Sequence, residues 1–142
     1  MPDVSFYLLA SQSERERLYL ACKLAEKAYR SGRFCYILTA HELQGKTLDD
    51  LLWTFRAGSF VPHQFYIDTA AIENKVLIGT AQSAPEPWQA MIINLSANPP
   101  EKLDHCERLL EILDNDENIK AQGRLRYKQY QQAGFKIATH KL

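Results

Sequence analysis

Residues 4–39 read as strand, helix, strand, and that order allows few folds. Val4 to Leu9 is a short apolar and aromatic run of strand type. Ser13-Glu14-Arg15-Glu16 has capping-box spacing, in which a serine oxygen and a glutamate each satisfy a free backbone N–H. The helix behind it aligns Leu18, Ala21, Cys22, Ala25, Ala28 and Tyr29 on one face, and Gly32 offers a left-handed stop. Phe34 to Thr39 is nearly continuous apolar sequence, as expected of a strand buried on both faces. A βαβ unit implies two parallel strands joined by a right-handed crossover.

The remaining chain extends this alternation. Leu43 to Phe55 reads as a helix weakened or broken near Gly45, with Thr47 and Asp50 as candidate caps of its second half. Leu48, Leu51, Leu52 and Phe55 form its apolar face, and Trp53 lies off that face. The loop Arg56 to His63 carries Phe60 and Val61 beside Pro62. Two readings stand side by side: Trp53, Phe60 and Val61 form an exposed apolar patch that meets a partner, or the loop folds back onto the core. Gln64 to Pro87 shows little pattern beyond a strand at Val76 to Ile78 and breaks at Pro85 and Pro87. Met91 to Leu95 reads as a buried strand. Pro100 suits the first turn of a helix from Glu101 to Leu113, with Leu103, Cys106, Leu110 and Leu113 inward and a solvated acidic face. A basic helix from Ile119 to Gln132 turns Ile119, Gly123, Tyr130 and the aliphatic stem of Arg126 inward. Ala133-Gly134 ends it, and Phe135 to Thr139 is the last strand. The expected fold is one three-layer α/β domain spanning residues 1–142. Its mainly parallel central sheet is flanked by helices, Rossmann-like in topology but without a nucleotide site.

Charge adds a second constraint. Lys and Arg total 17 and so do Asp and Glu, which leaves no basic excess for general nucleic-acid binding. No apolar run reaches the length of a membrane span, and the N-terminus lacks the basic region of a signal peptide. Three cysteines without a CxxC pair suit a reduced, cytoplasmic protein with buried thiols. Yet the charge is sorted. Glu101, Asp104, Glu107, Glu111, Asp114, Asp116 and Glu117 crowd one segment, and no acidic residue follows Glu117. On a helix, Lys120, Arg124, Tyr127 and Lys128 fall within a stripe of roughly 100°. Three cations and one ring on one face suit an acidic peptide with an apolar or aromatic end; the plainer reading is a solvated basic face.

Other chemistries find weaker support. Ala40 to Thr47 follows a strand and loosely resembles a phosphate-binding loop, which raises the alternative of a small α/β enzyme for a phosphorylated ligand. Glu42 would place negative charge inside that wrap, and only Gly45 has permissive backbone. Met91-Ile92-Ile93 ends in Asn94 rather than the aspartate that would hold Mg²⁺. His41, His63, His105 and His140 are scattered without ligand spacing, so no metal is expected. Asp104-His105-Cys106 would point in different directions on a helix. No GxGxxG is present, and no cofactor or catalytic residue is expected.

Five segments carry a resemblance. They are Ser5-Phe6-Tyr7-Leu8-Leu9; Ser31-Gly32-Arg33; Leu51-Leu52-Trp53 with Ser59-Phe60-Val61-Pro62-His63; Met91-Ile92-Ile93-Asn94-Leu95; and Arg126-Tyr127-Lys128-Gln129-Tyr130 with Ala133-Gly134-Phe135. In this order, from end to end, the chain resembles the chi subunit of the bacterial DNA polymerase III holoenzyme. The resemblance implies a non-catalytic adaptor in DNA replication. The family pairs with the psi subunit of the clamp loader and grips the acidic C-terminal tail of single-stranded DNA-binding protein, which ends in phenylalanine. It implies Lys120, Arg124, Tyr127 and Lys128 on the tail-binding surface, with Leu113 beside them. It implies Trp53, Phe60 and Val61 on the surface that receives psi; in some relatives a helicase uses that surface. Gln131 stands where relatives can carry a further arginine, which implies a less basic pocket.

Overall fold

The computed structural model describes residues 1–67 and 71–142. Of the poorly patterned stretch from Gln64 to Pro87, residues 68–70 therefore lie outside the described residues. Seven strands form one sheet: β1 (Asp3–Leu8), β2 (Cys35–Leu38), β3 (His63–Phe65), β4 (Val76–Gly79), β5 (Met91–Asn94), β6 (Arg108–Leu113) and β7 (Lys136–Lys141). Their order is β3-β4-β2-β5-β6-β1-β7, and every pairing is parallel. Among the described residues, three α-helices accompany it: α1 (Glu14–Arg30), α2 (Glu42–Thr54) and α3 (Glu117–Gln132). The three-layer α/β fold with a parallel sheet is thus present.

Alternation along the strands divides the core in two. Cys35, Ile37, Val76, Ile78, Met91, Ile93, Leu110 and Ile112 face α1 and α2. Val4, Phe6, Tyr36, Leu38, Leu77, Ile92, Leu109 and Leu113 face α3 and the irregular segment around Trp88 and Leu103. Both sides of the central strands are covered, which explains their unbroken apolar sequences.

The local signals fared unevenly. Ser13 caps α1, its hydroxyl accepting from the Glu16 N–H at 3.1 Å, but the Glu16 carboxylate accepts from the Ser11 hydroxyl instead of closing the box. Gly32 and Gly134 have φ of +74° and +84° and stop α1 and α3. α2 is continuous through Gly45. That residue is buried against the Phe65 ring, 3.4 Å from where a Cβ would stand, so the glycine answers close packing and not a break. His41 caps α2, and the Thr47 hydroxyl donates to the Leu43 carbonyl within it.

The largest correction falls on Glu101 to Leu113. No α-helix forms there. A short 3-10 turn, Leu103–His105, leads into β6, which lies between β5 and β1 near the middle of the sheet. Arg-Leu-Leu-Glu-Ile-Leu is a doubly buried strand whose one acid has a partner, and that acid imitated an amphipathic helix face. Glu111 is 0% exposed and Asp114 is buried, so the acidic face is not uniformly solvated. The Arg126 guanidinium is itself buried: Nε and Nη2 meet Glu111 Oε1 at 3.1 and 3.0 Å. Tyr130 Oη and Asn94 Nδ2 donate to Glu111 Oε2 at 2.6 and 3.0 Å, and Arg126 Nη1 donates to the Ala97 carbonyl at 2.9 Å. Four side chains thereby fix α3 on the sheet at one azimuth, which decides which of its faces looks outward.

Candidate functional site: a hollow beside a basic helix face

With Arg126 and Tyr130 held inward, the next face of α3 carries Arg124, Tyr127 and Lys128 into solvent. Gly123 brings the helix down onto β6. A Cβ at that position would stand 2.4 Å from Leu113 Cδ1, closer than side chains approach. Beyond Gly123 the helix and sheet part, and a hollow of about 170 Å³ opens. Its lining is mainly apolar: Phe6, Leu8, Leu113 and Thr139 from the sheet, with Gly123, Arg124 and Tyr127 from α3. The strand register explains the floor. Phe6 pairs with Thr139, and Leu8 pairs with both Leu113 and Lys141, so these side chains emerge on the same face. The Tyr127 ring tilts over Phe6 with centroids 5.3 Å apart, which holds it as a wall.

Three of the five residues expected on the tail-binding surface line this hollow: Leu113, Arg124 and Tyr127. Lys120 and Lys128 flank it along α3. Lys120 lies 3.2 Å from Glu117 Oε1 and is partly neutralised. Among the described residues, Arg124 and Lys128 take part in no ion pair. Phe6, Leu8 and Thr139 were not singled out from sequence, because each belongs to a strand whose neighbours only the sheet order reveals. Gly123 was a legible signal, since a mid-helix glycine costs about 1 kcal/mol relative to alanine and needs a packing reason.

A second surface lies at the other end of the sheet. Trp53 is 50% exposed and Phe60 is 64% exposed, with ring centroids 5.6 Å apart. Val61 does not join them: it is 0% exposed and belongs to the core under α1 and α2. Both readings of the loop were therefore half right. It folds back through Val61, and that anchor projects Phe60 outward beside Trp53. His63 reinforces the turn. Its Nδ1–H donates to the Val61 carbonyl at 2.7 Å, Nε2 lies 2.7 Å from Asp49 Oδ1, and Trp53 packs against the ring at 4.7 Å. Glu26 of α1 pairs with Arg56 and accepts from the Ser59 hydroxyl, tying down the start of the loop.

The Ala40–Thr47 segment does not form a phosphate cradle. Helix α2 begins at Glu42, the Gln44 N–H donates to His41 Nδ1 at 3.1 Å, and the Ala40 N–H donates to Gln44 Oε1 at 2.7 Å. The chain's own side chains thus occupy two of the backbone donors that a phosphate here would use. A crevice of about 510 Å³ beside it reaches Arg17 and Arg126, but both guanidiniums are committed. Arg17 donates to the carbonyls of Ile112 at 2.8 Å and Leu95 at 3.1 Å. Burial pushes the Cys106 thiol up to about 12, which leaves it unreactive at neutral pH. The histidines serve separate local contacts: His105 meets Glu86 at 3.0 Å, and His140 stacks on Tyr7.

Comparison with known proteins finds one family. The profile described as DNA polymerase III chi subunit, HolC, matches residues 1–138. The DNA polymerase III subunit chi of Pseudomonas aeruginosa is 32% identical over 142 residues, covering 100% of this chain and 98% of that protein. Its namesake in Escherichia coli is 28% identical over 143 residues, covering 98% of this chain and 97% of that protein. The one in Haemophilus influenzae is 26% identical over 134 residues, covering 94% and 93%.

Proposed function

The chain belongs to the DNA polymerase III chi-subunit family, and from that footing we propose that it is a non-catalytic adaptor with two separate docking surfaces. One takes the acidic C-terminal tail of single-stranded DNA-binding protein in the hollow between α3 and the sheet. The other takes the psi subunit of the clamp loader on the Trp53–Phe60 platform. The observation that carries this reading is the hollow itself. It is mainly apolar, large enough for one aromatic ring, and bordered by Arg124, which is free to meet a terminal carboxylate bidentately. Lys128 and Lys120 extend the positive charge toward the acidic residues that would precede the ring.

The positions of the two surfaces support bridging. His63, on which Trp53 packs, lies in β3, and Thr139 of the hollow lies in β7. These are the two edge strands of the sheet. Six strand spacings put them roughly 29 Å apart. Trp53 also belongs to the layer of α1 and α2, and the hollow to the layer of α3, so neither partner would obstruct the other. Peptide affinity at such a small site should be on the order of micromolar.

The test is separability. Lys128→Glu is expected to abolish tail-peptide binding and leave psi binding intact, and Trp53→Ala to do the reverse. Loss of both activities in either variant, with the fold preserved, would contradict two independent surfaces.

A further inference from the structure

Among the described residues, strand β7 ends the sheet and pairs with β1 alone, so its outer side carries unpaired backbone groups. The phase of the strand tells which ones. The Leu142 N–H donates to the Leu8 carbonyl at 2.9 Å, toward β1. Backbone direction alternates along a strand, so residues 136, 138 and 140 also turn inward, while Ile137, Thr139 and Lys141 turn both N–H and C=O outward. The side chains of these three residues share the α3 face. Thr139 therefore has two roles in one place: its side chain lines the hollow, and its peptide group is the middle one of the open edge.

An open edge six residues long invites pairing with another chain. Lys136, Lys141 and His140 lie along it, and no acidic residue follows Glu117. A second copy would bring the same lysines together and be repelled. An extended acidic peptide would be attracted, with Arg124 and Lys128 of α3 overlooking the same furrow. We propose that the outer edge of β7 is a strand-pairing site for an extended acidic peptide, continuous with the hollow, so that the residues preceding the seated ring add an eighth strand. This rests on the tail-binding reading and deepens it: affinity would come partly from backbone hydrogen bonds, which tolerate sequence variation upstream of the ring.

The test is amide hydrogen exchange of the full chain by NMR, with and without a saturating synthetic Asp-rich peptide ending in phenylalanine. The amides of Ile137, Thr139 and Lys141 are expected to slow by about fivefold or more, the factor a single net hydrogen bond supplies, while Ala138 and His140 stay unchanged. Peptide binding that needs the phenylalanine but leaves all three outward amides unprotected would overturn edge pairing and leave the hollow reading in place. No peptide binding at all would overturn both.

Discussion

Arg126 on α3 and Glu111 on β6 form an ion pair at 3.0 Å with both side chains withdrawn from solvent. Glu111 is also the acceptor for Tyr130 and Asn94, so removing it takes an acceptor from three side chains at once. Burial, and next the Glu111 carboxylate, push the Tyr130 hydroxyl well above the usual tyrosine range, so it remains a donor. Breaking a buried pair from one side typically costs ~3–5 kcal/mol. Glu111→Ala and Arg126→Ala are each expected to lose stability of that order in urea titrations. The double variant should lose less than the sum.

Gly123 predicts an effect on the hollow separable from charge. In Gly123→Ala the new Cβ would force Leu113 aside, toward the hollow that it lines. Overpacking of this kind costs ~1–3 kcal/mol of stability. Tail-peptide affinity should fall although every cation remains, as read by calorimetric titration. Unchanged affinity would show that Leu113 is not part of the floor.

Val61 and Phe60 are neighbours with opposite expectations. Val61→Ala removes buried methyl groups and should destabilise by ~1–3 kcal/mol. Phe60→Ala and Trp53→Ala remove exposed rings, so thermal midpoints should hardly move while binding of psi falls. A thermal scan run beside a psi co-purification assay separates the two outcomes.

Alkaline pH should loosen the fold through the buried thiols. Burial raises Cys22, Cys35 and Cys106 from 9.0 to about 12. Above pH 9 the unfolded chain releases thiol protons that the folded chain keeps, so stability falls as pH rises from 9 toward 12. Below pH 9 these groups contribute no slope. Urea titrations across that window should show the decline, and Cys35→Ala should make it shallower.

Much of the fold was legible because the βαβ opening, the doubly apolar strands and the basic helix follow simple periodicities. The failure at Arg108–Leu113 has a definite cause. Glu111 and Arg108 interrupt the apolar run at spacings a helix also produces, and it is the remote Arg126, Tyr130 and Asn94 that make a buried glutamate tolerable there. For the candidate site, α3 could be read in one dimension, so the shared exposed face of Arg124, Tyr127 and Lys128 was legible. The floor from Phe6, Leu8 and Thr139 depends on β1 lying between β6 and β7, which no local pattern encodes. The two readings of the Val61 loop could not be separated from sequence, because a loop valine beside an exposed phenylalanine carries no mark of which one turns inward.

The most direct measurement is fluorescence anisotropy of a labelled acidic peptide ending in phenylalanine, titrated with the protein beside the same peptide lacking that residue. Saturable binding on the order of micromolar is expected for the first and none for the second. Added salt should weaken it through Arg124 and Lys128. Tyr127→Ala, which removes the wall of the hollow, should cost ~2 kcal/mol or more, and Lys120→Ala, already paired with Glu117, well under ~1 kcal/mol. Equal binding of the two peptides, or binding of neither, would contradict the hollow as a tail site and leave α3 with an ordinary solvated basic face.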